Sequence, residues 1–242
     1  MEITEIKKHI KNENTSSICD RANEIAASGD YNQSISLLST ALELSPFDKA
    51  LRHTRGRKYI GALEFEASIA DLSLSSLMLE GDWEPRYYLA VSYFLSGQYE
   101  KARHYHIESM ALMKKNGIEA LPAVVDWIWM SSMRIGDVEF ANEILAEVDE
   151  TTASEDGDYK ARVLLYKGLI SPDNFVEKMM EYDHEKDRVD IFRLMLMYGL
   201  SNYYRYVEVD LGKANGLCEE ILKSPRYHNL FAYIQSGQDL EN

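Results

Sequence analysis

Glycine and proline are scarce, at 13 and 5 in 242 residues. So few chain breakers exclude a hairpin-rich β fold and a collagen-like or low-complexity chain, and they favour long uninterrupted helices. Cysteine is scarcer still. Cys19 and Cys218 are far apart and form no CxxC group, so neither a disulfide framework nor a thiolate metal site is implied. Both are expected to be buried thiols. Positive charge is deficient, with 26 Lys and Arg against 40 Asp and Glu and a formal net charge of −14. No Lys/Arg-rich run interrupts that excess, which argues against nucleic acid as a partner and against anionic membrane surfaces. The acids read as a solvated surface. No apolar run approaches the roughly 20 residues that a bilayer crossing needs. The start, Met1-Glu2-Ile3-Thr4-Glu5-Ile6-Lys7-Lys8, lacks the cationic beginning and apolar run of a secretory signal. A cytoplasmic protein is the expectation.

Catalytic signatures are missing as well. The chain contains no GxSxG, HExxH, phosphate-cradling glycine loop or dinucleotide fingerprint, and His184-Glu185 lacks the second histidine of a zinc protease. His104 and His106 are two apart, which on a helix sends them to different faces. Acids such as Asp183 and Glu185 read as a charge-rich linker. No catalytic residue, metal or cofactor is assigned, and a non-enzymatic protein is expected.

What is present is a repeat. Gly29-Asp30-Tyr31 recurs as Leu63-Glu64-Phe65 and as Gly97-Gln98-Tyr99, each 34 residues after the last. Ala22, Gly56 and Ala90 keep the same step and are small, as are Ala41, Ser75 and Ser109, while Tyr59 and Tyr93 are aromatic. Small residues at a fixed interval imply close helix crossings. Between these marks apolar residues run at helical spacing, as in Ile35, Leu38 and Leu42. Gly29-Asp30 supplies a helix stop followed by an N-cap residue, and Pro46 ends the next helix.

On these residues, and on Arg55-Gly56-Arg57-Lys58-Tyr59 and Gly97-Gln98-Tyr99-Glu100-Lys101-Ala102 above all, the chain resembles the tetratricopeptide repeat (TPR) family. It departs at the leading aromatic, where Ile18, Arg52 and Arg86 stand, and only the first repeat closes with its proline. The resemblance implies an all-α fold, a right-handed α-α superhelix: a TPR-like solenoid of antiparallel helix pairs with a C-terminal capping helix. It is densest over residues 15–116. The expected organisation is an N-terminal helical extension over 1–14, four helix pairs over 15–150, then two irregular pairs and the cap over 151–242. A fourth pair begins at Pro122 and turns at Gly136-Asp137-Val138. Later helices are expected over about 159–170, 172–182 and 188–207, with a further turn at Asp210-Leu211-Gly212 and the capping helix over Tyr227 to Gln235.

The family's first helices line a concave side, so the repeat register projects a groove. Positions ten and six residues before each turn mark, with those nearer the turn, give Asn23, His53, Arg57, Tyr87, Val91, Phe94, Asp126, Met130 and Arg134 as candidate partner-binding residues. Aromatic and aliphatic anchors beside a few polar groups suit a peptide, because apolar burial gives affinity and polar groups fix register. The positions corresponding to the family's clamp for chaperone C-terminal tails hold Cys19, Asn23, Thr54, Glu84 and Tyr88. Only Asn23 agrees and Glu84 has the wrong sign, so that tail is not the expected ligand. The methionines, Met110, Met113, Met130, Met133, Met195 and Met197 among them, read first as core filling. The leading expectation is a scaffold or adaptor binding a partner peptide or helix in its groove. A peptide- or small-molecule-sensing regulatory module is the alternative, an enzyme a third reading, and homo-oligomerisation stays open.

Overall fold

The computed structural model describes residues 13–118, 121–153, 157–181 and 189–241. The expected extension over 1–14 falls almost entirely outside them, as does the charge-rich linker at 183–185. Every regular element among the described residues is helical. The chain forms two compact units, Met1–Gln98 and Tyr99–Asn242.

The first unit holds α1 (Thr15–Ala27), α2 (Tyr31–Leu44), α3 (Lys49–Gly61), α4 (Phe65–Met78) and α5 (Glu84–Leu95). Starts and stops follow the repeat marks. The Asn14, Asp30 and Asp48 side chains accept from backbone N–H groups of the first turns of α1, α2 and α3, filling donors a helix cannot satisfy itself. The turns inside the pairs pass through positive φ at Gly29 (94°), Leu63 (62°) and Gly97 (77°). The core is built where small residues were expected: Ala22, Gly56, Ala41 and Leu38 are buried, with Leu51 and Leu72 between helices. The Ser34 hydroxyl donates to the Ala22 carbonyl at 2.7 Å and the Ser68 hydroxyl to that of Gly56 at 2.8 Å. The two serines are 34 residues apart, so one bond repeats across two helix crossings. First helices approach one another more closely than second helices do, which puts α1, α3 and α5 on the inner side of this unit.

The second unit holds α6 (Tyr99–Asn116), α7 (Leu121–Arg134), α8 (Val138–Ile144) with a 3-10 turn at Leu145–Glu147, α9 (Gly157–Tyr166), α10 (Pro172–Glu181), α11 (Val189–Tyr206), α12 (Leu211–Leu222) and α13 (Phe231–Glu241). The α7–α8 turn repeats the positive φ at Gly136 (79°), and Asp137 and Asp210 cap α8 and α12. The interior is large and aromatic. Trp127 and Trp129 are both buried, the first stacked on His106 at 5.6 Å, the second on Tyr166 at 3.8 Å. Neither tryptophan faces an open groove. The C-terminal helix starts at Phe231, because Pro225–Tyr227 form a 3-10 turn where the sequence suggested the helix had begun. The cysteines are free thiols, Cys218 buried and Cys19 half-buried.

Candidate partner-binding site

α3 is rich in basic residues in an acidic chain, and its basic side chains divide by face. Arg52 and Arg55 turn inward and converge on Asp71 of α4, a buried carboxylate. Arg52 Nη1 donates at 2.9 Å, and Arg55 donates from Nε at 2.6 Å and Nη2 at 3.0 Å. Three charge-assisted bonds satisfy a carboxylate that would otherwise be costly to bury. Arg55 also donates to Ser39 Oγ of α2 at 3.0 Å. These two arginines hold the helices and are committed.

Arg57 turns instead towards α5. Its Nη1 donates to Glu84 Oε1 at 3.1 Å, and its guanidinium lies over the Tyr88 ring, 4.3 Å from the centroid. His53, one helical turn earlier, reaches the same ring at 6.0 Å. The rings continue along α5, with Tyr87 edge-on to Tyr88 at 5.4 Å and Trp83 edge-on to Tyr87 at 5.8 Å. Pro85 in the first turn of α5 fixes its start and so aims Glu84 and the rings at α3. Burial, then the neighbouring Arg57 charge, push the His53 imidazole down to about 4, so it is uncharged at neutral pH. All of these side chains are partly exposed. A half-exposed ion pair is worth at most about 1 kcal/mol and an exposed cation–π contact about as much. An incoming group can therefore take over the Arg57 contacts at small cost.

Of the residues projected from the repeat, the structure brings His53, Arg57 and Tyr87 together in the first unit. Asn23 is exposed on α1 and shares no described contact with them. Val91 and Phe94 point into the packed interior and offer no surface. Tyr88, Glu84 and Trp83 complete the cluster and were not projected as groove residues. In the sequence Glu84 and Tyr88 stand out only as clamp positions, and the one aromatic spacing that sets rings side by side on a helix is Trp83 with Tyr87, at i and i+4.

Asp126, Met130 and Arg134 line one face of α7 in the second unit, where they are interior, a correction to their expected exposure. Asp126 pairs with Arg162 of α9 at 2.8 Å, with both side chains 0 % exposed. Burial pushes the Asp126 carboxyl up while the Arg162 charge opposes the shift. Arg162 Nη2 also reaches Met130 Sδ at 3.3 Å. Arg134 Nη2 donates to both oxygens of Asp239 on α13, at 3.0 and 3.1 Å, and to the Tyr198 hydroxyl of α11 at 2.6 Å. The physical reason is local: α9, α11 and α13 cover this face with groups that pair its charges. Among the described residues no group of three or more His, Cys, Asp or Glu could hold a metal ion, and no helix is long and apolar enough to cross a membrane.

Antiparallel pairs at a 34-residue step, small residues at the crossings and positive φ inside each turn define a TPR-like repeat protein. Solved structures agree. A crystal structure of a putative kinesin light chain with nearly identical TPR-like repeats, from Podosopora anserina, superposes with a TM-score of 0.54 and 13% identity, covering 87% of this chain and 95% of that one. A single-residue variant of that protein gives 0.54 and 15%, covering 87% and 96%. At that identity the likeness concerns the fold alone. No family model matches the sequence, and no curated protein matches it. The TPR-like repeat fold is generally a scaffold for protein interactions and is typically non-catalytic.

Proposed function

We propose that the chain is an interaction scaffold or adaptor, and that the inner side of its first unit binds an extended or helical segment of a partner protein. The observation that supports this most is the cluster of Arg57, His53, Tyr87, Tyr88 and Trp83 across α3 and α5. Arginine, tyrosine and tryptophan are the residue types enriched where truncation costs binding most. The partner's apolar or aromatic anchor packs on the rings, and a carboxylate or carbonyl of the segment competes with Glu84 for Arg57. His53, uncharged, contributes ring surface and a neutral hydrogen-bonding edge.

The test is affinity capture of the native partner by the wild-type chain and by a double variant, Arg57→Ala with Tyr87→Ala. The double variant is expected to lose capture at unchanged helicity, a cost on the order of 2 kcal/mol or more in binding. Leu77→Ala, on the exposed side of α4, is expected to capture normally. Full capture by a folded double variant contradicts the proposal.

A further inference from the structure

The C-terminal helix α13 docks through an unusual face. Its buried positions are Ala232, Gln235, Ser236 and Asp239, three and four residues apart and so one stripe, and that stripe is small and polar. Of the helices it meets, α12 buries Ala214, Cys218 and Ile221, while α7 and α11 bury larger side chains such as Trp127 and Leu196. It packs most closely on α12, and two side-chain contacts tie it to α7 and α11. Phe231 lies 4.7 Å from the Trp127 ring and 5.8 Å from that of Tyr198. Asp239 takes both bonds from Arg134 and a third from the Tyr198 hydroxyl, at 3.0 Å. The Gln235 side-chain oxygen is buried and meets no donor among the described residues. Gly237, in the middle of the helix, has nothing within 4 Å of where a Cβ would stand, so packing does not require it, and it weakens the helix relative to alanine. Although it packs along α12, a polar buried stripe, a buried oxygen that meets no donor among the described residues and an internal glycine weaken its hold, and such a helix is poised to open before the rest of its unit.

We propose that α13 is a releasable helix filling a carboxylate-binding site made by Arg134 and Tyr198, and that this site accepts an acidic amphipathic helix of another protein in its place. The chemistry of the occupant is read from α13 itself: an aromatic ring and, just over two turns later, a carboxylate. Leaving the buried Arg134 charge without a carboxylate is costly, so the site does not stand empty. Exchanging one carboxylate for another restores the same charge-assisted bonds from Arg134 Nη2 and the Tyr198 hydroxyl. The tethered α13 holds the advantage of high effective concentration, which makes it a gate that only a well-matched helix displaces. This second site lies in the second unit and uses neither Arg57 nor Tyr87, so it stands or falls apart from the function proposed above.

The test uses the full chain, its Asp239→Asn and Gly237→Ala variants, and a labelled synthetic peptide of residues 228–241. In hydrogen exchange, Asp239→Asn is expected to speed α13 amides tenfold or more while α7 and α11 keep wild-type rates, and Gly237→Ala to slow α13 amides several-fold. The peptide is expected to bind the Asp239→Asn chain at least tenfold more tightly than wild type, the Gly237→Ala chain more weakly than wild type, and to lose binding when its own aspartate becomes asparagine. If Asp239→Asn does not fold, the Gly237→Ala comparison carries the test alone. Unchanged α13 rates, an equal rise in α7 and α11, or equal peptide binding by all chains would overturn the proposal.

Discussion

Val209 sits in the turn before α12 at φ 57°, a left-handed conformation that costs a β-branched residue dearly. Gly29, Gly97 and Gly136 occupy the comparable turns, and at Val209 the side chain is 73% exposed, so little packing offsets the strain. Val209→Gly is expected to raise stability by about 1 kcal/mol, read as a higher denaturation midpoint. A lower midpoint would show that the strain is compensated by contacts of the valine. His53 gives a second check at this scale. Its folded-state value, about 4, lies below the ordinary 6.5, so its contribution to stability is complete above about pH 6.5 and is lost as pH falls towards 4. An NMR titration should place its midpoint near 4, and a midpoint at or above 6.5 contradicts the burial described for it.

Among the elements, the close crossing of α3 and α4 carries the plainest consequence. A Cβ added at Gly56 would lie 2.6 Å from Leu72 Cγ, inside contact distance. Gly56→Leu is expected to cost about 1–3 kcal/mol in chemical denaturation, and an unchanged midpoint would mean the helices are not in this register. That crossing was legible in the sequence, because Ala22, Gly56 and Ala90 keep their step while their neighbours vary. The serine bonds that accompany it were not, since a serine on a helix equally often faces water. Repetition also fails where geometry changes. At the corresponding place in the fourth pair stands not a small residue but Trp129, which stacks on Tyr166 of α9. The start of α13 was misplaced by four residues because Pro225 and a 3-10 turn intervene before a helix whose buried side has no apolar period to mark it.

Across the whole chain, periodic information specified the paired helices and aperiodic information the buried ion pairs that join them. Asp126 with Arg162 and Arg134 with Asp239 join positions 36 and 105 residues apart in unlike helices, and no spacing rule anticipates such pairs. The same register that located His53, Arg57 and Tyr87 on a shared surface therefore placed Asp126, Met130 and Arg134 in a groove that their own unit fills. The first unit keeps its inner cluster accessible, but it also exposes an apolar stripe on α4, Leu74, Leu77 and Met78, with Leu77 69% exposed. These are two rival surfaces for one partner. Site-specific photo-cross-linking in the native cell separates them, with a benzophenone side chain placed at Tyr87 in one chain and at Leu77 in another. Binding through the inner cluster is expected to yield a cross-linked partner from position 87 and none from position 77. A partner captured from position 77 alone contradicts it.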